Sequence, residues 1–443
     1  MKTIYIIFTV LFTLFANAQC FELFSSEYQH SLALKTDGSL WSWGNNNRGE
    51  LGLNTGVAPI YTPRLVSSQM AGAKIFTGGS KSFVIKSDGT LWACGDGDFF
   101  GLGTGTQNNK YALTQIGNST DWSFITAGGG TIALKTNGTL WGWGSNIYGQ
   151  LNLGTDSLQL TPIQISTETN WAKVVAGSNH TLAIKTNGTL WACGLNDYGQ
   201  LGDGTITNRF SFVQIGTDTN WAELGTGFLF KSSVAIKTDG TLWGWGSNLN
   251  SQLSASLPSQ INVPTQIGTA TNWSKVAKGY YATKGIKTDG TLWISSSSGL
   301  YQIGTDTDWV SIYSGEAHFF AMKSDGTLWG QGGNDFGQLG LGFAIQGTSV
   351  PTQLNCSAFL GTEQVNEVNK FTVFPNPTNN NIYIQNTSNE NIEKITVTDV
   401  TGKIVVEETQ NFSELNIQNL ESGIYLLVIT SANKMENFKI IKK

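Results

Sequence analysis

The chain has 443 residues, of which 13% are charged, with 53 glycines, 15 tryptophans and a formal net charge of −5. Ordinary globular proteins carry about 25% charged residues; the richness in glycine and large rings excludes a disordered chain and favours short strands joined by tight turns. No run of Lys or Arg occurs, which argues against duplex nucleic acid as a partner, because a basic stripe supplies that affinity.

Residues 1–18 read as a signal peptide: Lys2 gives a basic start, Ile4 to Phe15 is apolar, and Ala16-Asn17-Ala18 is a small-residue cleavage site. The apolar stretch is shorter than the ~20 residues that span a bilayer, and no later stretch is long enough to be a transmembrane segment. Cleavage after Ala18 leaves Gln19 as the mature start, and Gln19 before Cys20 fits a lipoprotein site poorly. The expectation is an exported protein.

Residues 19–356 are dominated by a repeat. The heptapeptide Lys-(Ser/Thr)-(Asp/Asn)-Gly-(Ser/Thr)-Leu-Trp begins at Lys35, Lys86, Lys135, Lys185, Lys237, Lys287 and Lys323, at spacings of 51, 49, 50, 52, 50 and 36 residues. Asp-Gly or Asn-Gly between alternating apolar runs is a hairpin signal and predicts a type I′ turn. With an upstream strand such as Trp171-Ala-Lys-Val-Val-Ala176 and a closing one such as Phe212-Val-Gln-Ile215, each repeat offers four short antiparallel strands, one propeller blade. Seven tryptophans follow the hairpin turn, three lie two residues later (Trp43, Trp143, Trp245) and five open a repeat, which accounts for all fifteen. Rings at fixed repeat positions predict packing between blades.

A third segment follows the hairpin in most copies, as in Gly44-Asn-Asn-Asn-Arg-Gly-Glu-Leu-Gly52 and Gly194-Leu-Asn-Asp-Tyr-Gly-Gln-Leu-Gly202. Together with the heptapeptide it resembles the repeat of the regulator of chromosome condensation family. That resemblance implies a seven-bladed β-propeller and fixes no activity, since fold does not imply function. The family's nucleotide-exchange role is not expected of an exported chain. Blade six runs Trp293-Ile-Ser-Ser-Ser-Ser-Gly299 and lacks the Gly-Gln-Leu-Gly segment, so it should lack a long loop.

Residues 357–370 read as a polar linker. From residue 371 to 443, strand-like runs such as Lys394-Ile-Thr-Val-Thr398 and Gly423-Ile-Tyr-Leu-Leu-Val-Ile429 predict a small β-sandwich. The phrases Phe374-Pro-Asn-Pro377, Asp399-Val-Thr-Gly-Lys403 and Leu420-Glu-Ser-Gly-Ile-Tyr-Leu426, with the basic end Lys439-Ile-Ile-Lys-Lys443, resemble the type A sorting domain of the type IX secretion system. The resemblance implies residues 371–443 engaging that machinery, and a protein released from, or attached to, the surface of a Gram-negative bacterium. The fold class expected for the whole chain is all-β, a seven-bladed propeller followed by a small sandwich.

The candidate chemistry is sparse. Cys94 and Cys193 stand where other repeats carry the second tryptophan and read as buried thiols. Cys20 and Cys356 lie at the two ends of a region that must close into a ring, and in an oxidising compartment they predict a disulfide across the seam, worth ~4–5 kcal/mol by loop-closure entropy. His30, His180 and His318 share one repeat position in blades that are not three neighbours, which favours a structural role over a metal. The acidic residues follow the turns of the repeat, and no nucleophile elbow, phosphate loop or zinc signature occurs. No catalytic residue, metal or cofactor is therefore expected. One pattern points to recognition: four residues into the third segment stand Arg48, Phe99, Tyr148, Tyr198 and Phe336, types enriched in binding hot spots, on loops carried by a rigid scaffold. The expectation is a non-catalytic propeller that binds an extracellular protein or glycan. The alternatives are a secreted inhibitor of a hydrolase, suggested by a likeness to the propeller-type β-lactamase inhibitor protein, and an extracellular polysaccharide- or peptide-degrading enzyme.

Overall fold

Each heptapeptide forms a hairpin, and its turn differs from the expected type I′. In blade one Gly38 donates its N–H to the carbonyl of Lys35 at 2.9 Å, and Lys35 donates to Ser39 at 2.9 Å. Gly38 adopts φ +81°, whereas Thr36 and Asp37 do not take positive φ. This is a type I turn followed by a left-handed glycine, the three-residue hairpin loop. The cause is the side chains: a β-branched Thr is penalised at positive φ, and Asp37 accepts hydrogen bonds from both the N–H and the hydroxyl of Ser39. Ser39 Oγ in turn accepts the indole N–H of Trp41 at 2.8 Å. The same Thr/Ser-to-Trp link recurs in all seven blades.

The computed structural model describes residues 20–225, 231–342, 346–354, 371–375, 377–386, 391–399, 403–410, 412–431 and 434–443. The expected signal peptide, the linker and Cys356 lie outside the described residues. The chain divides into two units, Met1–Gly361 and Thr362–Lys443. In the first, seven four-stranded antiparallel sheets each keep strand order equal to chain order. Their inner strands are Phe21–Glu27, Lys74–Gly78, Trp122–Ala127, Trp171–Ala176, Trp221–Leu224, Trp273–Lys278 and Trp309–Ser314. Consecutive inner strands touch all the way round, the last against the first, so the ring is closed and the fold is a seven-bladed propeller.

The core lies between blades, as the tryptophan spacing predicts. Ile132, Leu140, Leu151 and Ile165 of blade three meet Trp171, Val174 and Ala183 of blade four in one cluster, with Trp191 on its margin. Within each of blades three to seven the opening ring meets the hairpin ring edge to face, for example Trp171 and Trp191 at 6.2 Å. The heptapeptide lysine fills the space beside them: Lys185 Nζ lies 4.8 Å from the Trp171 ring and 3.8 Å from Trp191, and 2.7 Å from Glu168. This cation–π and ionic bracket explains why lysine recurs in a repeat that otherwise avoids charge.

Blade one is built wholly from Phe21–Ser67 and blade seven wholly from Trp309–Leu354. Among the described residues no sheet is shared across the seam, which closes through side chains and through backbone bonds such as Glu316 N–H to the carbonyl of Tyr28 at 3.0 Å and Gly342 N–H to that of Tyr61 at 2.9 Å. Phe24 packs 5.1 Å from Tyr313 and 4.7 Å from Phe320, within a cluster that also holds Cys20, Trp43, Leu339 and Leu354. Blade six joins Leu292–Ser296 to Gly299–Gln302 through two residues, so it carries no long loop.

The second unit is a sandwich of a three-stranded and a four-stranded sheet. The strand Gly423–Ser431 alternates inward Leu427 and Ile429 with outward residues, the period-two pattern of a half-buried strand. These residues, with Phe371, Ile382, Ile395, Leu415 and Ile440, form its core.

Candidate functional site

One end of the propeller carries the hairpin turns; the other carries the long loops of the third segment. In blades one, three, four, five and seven each loop is tied by a buried asparagine. Asn146 Oδ1 accepts the N–H of Leu151 at 2.8 Å and its Nδ2 donates to the carbonyl of Thr155 at 2.7 Å; Asn46, Asn196, Asn248 and Asn334 do the same for their own loops. The leucine so held is buried in the core. The glycine after the candidate rim residue then rests against the outer strand of the next blade: a Cβ on Gly149 would stand 2.4 Å from the Cα of Phe210. These loops are satisfied internally and clasp their neighbours, which makes them rigid platforms.

The candidate rim residues ride on that platform. The backbone N–H of Tyr148, Tyr198 and Phe336 is accepted by the side chain of Gln150, Gln200 and Gln338 at 3.0, 2.9 and 2.9 Å, and that of Arg48 by Glu50 at 2.7 Å. Arg48 and Phe99 are exposed, while Tyr148, Tyr198 and Phe336 are half-buried. Arg48 also reaches blade two, 3.3 Å from Asp98, and Phe99 stands 52% exposed at φ +53° in a short 3-10 turn.

Several residues of this face escaped the sequence pattern. Ile147 and Leu249 stand at loop tips, 48% and 64% exposed, and Tyr281 is 60% exposed. Ile147 and Leu249 lie one residue before the rim position, and Tyr280-Tyr281 occupies the short turn of blade six where blade two has Gly79-Ser80 and blade three Gly128-Gly129. Both signals are readable by aligning the repeats. Lys231, whose Nζ lies 4.0 Å over the Tyr198 ring, also joins this face.

The histidines and free cysteines buried below the face serve the scaffold. Each histidine bridges to a serine of the next blade: His30 to Ser82 at 2.9 Å, His180 to Ser233 at 3.0 Å and His318 to Ser26 at 2.8 Å. Burial pushes their pKa down to about 3, 4 and 3, so they are neutral and face three different inter-blade gaps. Among the described residues no group of three or more His, Cys, Asp or Glu could hold a metal ion. Cys94 and Cys193 are buried free thiols, and burial raises both well above the usual thiol range. At the end of the inner strand of blade one, burial raises Glu27 to about 8, against the opposing pull of Lys81 from blade two. Lys278 and Lys284 of blade six are both buried and pushed down to about 7.

Residues 28–50, 137–184 and 171–200 match the Regulator of chromosome condensation (RCC1) repeat, and residues 372–443 match the secretion system C-terminal sorting domain. The probable E3 ubiquitin-protein ligase HERC4 of Homo sapiens is 34% identical over 86 residues, 19% of this chain and 8% of that protein. The human Regulator of chromosome condensation is 28% identical over 93 residues, 21% of this chain and 22% of that protein. These matches therefore span less than a quarter of either relative. Among solved structures, human WBSCR16 is similar with a TM-score of 0.63 at 19% identity, over 72% of this chain and 94% of that one. Yeast RCC1 (Prp20), solved bound to Kap60, gives 0.53 at 18% identity, over 80% and 76% of the two chains. At such identity the likeness shows the fold. The chain is a seven-bladed β-propeller of RCC1 repeats followed by the sorting domain that directs type IX export to the cell surface or the medium.

Proposed function

We propose that this protein is a non-catalytic binding module, exported by type IX secretion, whose loop-bearing face recognises an extracellular protein or glycan. The observation that carries the reading is the exposure of aromatic, apolar and Arg side chains at one level of successive blades, on loops whose backbone groups are already satisfied. A rigid platform loses little entropy on binding, and rings of this kind supply most of the energy in binding hot spots. The opposite face offers less, because its lysines are already bracketed between tryptophan rings and, in most blades, carboxylates.

The test is a triple replacement of Tyr148, Tyr198 and Phe336 by Ala in the full-length secreted chain. Binding is measured on arrays of bacterial and host glycans and on purified surface proteins. The reading expects a ligand for the native protein and at least a tenfold loss for the variant, with unchanged far-ultraviolet circular dichroism and Tm. Unchanged binding by a folded variant overturns the assignment of this face.

A further inference from the structure

Blade six differs from its six siblings in two ways that meet at one place on the loop-bearing face. It lacks the long loop that elsewhere delivers a leucine into the core, and it carries lysines where the other blades carry small or apolar residues. Lys278 ends the inner strand of blade six, where the strands of blades three, four and seven have Ala127, Ala176 and Ser314. Lys284 replaces the core residue that is Leu32, Ile132, Leu182 or Phe320 in other blades.

These two amines are unequally provided for. Lys284 Nζ bonds Ser314 Oγ at 2.8 Å and lies 5.5 Å from the Phe319 ring. Lys278 is 1% exposed, and its Nζ donates to the carbonyl of Gly279, the residue just past the end of its strand. No carboxylate among the described residues lies within ion-pair distance of it. An ammonium has three donors, and burying one without a counter-charge is costly.

Lys278 lines a pocket of about 120 Å³ that opens on the loop-bearing face between blades four, five and six. Tyr198, Lys231, Asn250, Gln252 and Tyr280 share its wall with Lys278, and no acidic residue among the described ones does. Glu316 is joined to the pocket only through its backbone carbonyl, which accepts Tyr280 N–H at 3.2 Å, and its Oε2 already accepts Gln29 Nε2 at 2.8 Å. The pocket thus brings together two lysine amines, the exposed Asn250 amide and two phenol rings.

We propose that this pocket receives the carboxylate of a uronic acid residue in an acidic polysaccharide, with Lys278 as its buried counter-charge. The inference rests on the loop-bearing face being the binding surface and adds the ligand class. The carboxylate completes the hydrogen bonding of Lys278. The exposed amide of Asn250 suits ring hydroxyl groups, held in place by Gln252, whose Oε1 accepts the Asn250 backbone N–H at 2.9 Å, and the rings of Tyr198 and Tyr280 suit the C–H face of a pyranose. The volume admits the acid-bearing part of one sugar ring. An acidic peptide would satisfy the lysines equally, but its methylene stem would cover the Asn250 amide without offering it a hydroxyl partner.

The experiment titrates the full-length chain with oligogalacturonate by calorimetry, beside the same oligomer with its carboxyls reduced to alcohols and beside oligoglutamate. The expected result is binding of oligogalacturonate only, weakened at least tenfold by Lys278→Met and by Lys231→Gln. Lys278→Met replaces a buried amine by an apolar chain of similar shape, so the fold should survive, which the Tm of both variants checks. Equal binding by the Lys278→Met variant, or no binding of any uronate, overturns the pocket. Preference for oligoglutamate with the same lysine dependence overturns the sugar and assigns the pocket to protein carboxylates. If neutral glycans or proteins bind and the Tyr148, Tyr198 and Phe336 variant abolishes that binding while Lys278→Met does not, the binding face stands and the acid pocket falls.

Discussion

Trp43 of blade one donates its indole N–H to the carbonyl of Gln338 in blade seven at 3.0 Å, across the one inter-blade gap that no continuous chain spans. The same donor-acceptor pair recurs inside the ring, where Trp143 reaches Gly101 at 3.1 Å and Trp245 reaches Gln200 at 2.9 Å. The seam is therefore an ordinary blade interface made from opposite ends of the propeller. Trp43 is fully buried among Phe24, Phe320 and Leu339.

Replacement of Trp43 by Ala should cost the propeller ~3–5 kcal/mol, the usual loss for a buried large ring. Removal of the half-exposed Trp191 should cost clearly less. Urea unfolding followed by tryptophan fluorescence measures both. Equal losses would contradict the assignment of the larger share to the fully buried ring.

The Cys20–Cys356 disulfide remains a proposal, since Cys356 lies outside the described residues. Its physical motive is the seam: Cys20 sits in the same core cluster as Phe320 and Leu354. Alkylation of the denatured mature protein without reductant should modify two thiols, those of Cys94 and Cys193, and four after reduction, as read by intact mass. Four modified thiols without reductant would contradict it.

Acid should loosen the ring at its histidines. Each titrates near 6.5 when unfolded, and near 3 or 4 when folded. Between those values the unfolded chain binds more protons, so stability is present above about pH 6.5 and is lost as pH falls toward 4. Each histidine contributes a slope of ~1.4 kcal/mol per pH unit in that window. Glu27 opposes it: raised to about 8 from 4.5, its contribution is lost as pH rises from about 4.5 to 8. Three histidines outweigh one glutamate between pH 4.5 and 6.5. His180→Gln should therefore flatten the pH dependence of urea unfolding there by about one proton's slope. An unchanged slope would show that His180 is not buried neutral.

Much of the fold was legible because the repeat states its own chemistry. Asp-Gly or Asn-Gly marked each turn, and the tryptophans marked the blade faces, although the turn type depended on Thr36 and on the Asp37–Ser39 bonds rather than on the dipeptide alone. The rim positions were legible as a column in the repeat, and their exposure was not, since Tyr148 on a loop and Tyr148 wedged between blades read alike. The partners of the histidines were hidden for another reason: His30 meets Ser82, 52 residues away, a relation that exists only once blades stack. Lys278 and Lys284 were hidden too, because their burial follows from what blade six lacks.

Removing residues 372–443 should leave the propeller folded and stop its export beyond the periplasm. Fractionation of cells producing the native and truncated chains measures this. Truncated protein in the medium at native levels would contradict a sorting role for this domain.

The most direct measurement of the binding face is hydrogen–deuterium exchange on the full-length chain, with and without the first glycan or protein that binds it. Protection gathered on loops 45–59, 145–158 and 195–208 is the predicted result. Protection at the hairpin turns 36–38, 136–138 and 186–188 instead would place recognition on the opposite face and contradict the account.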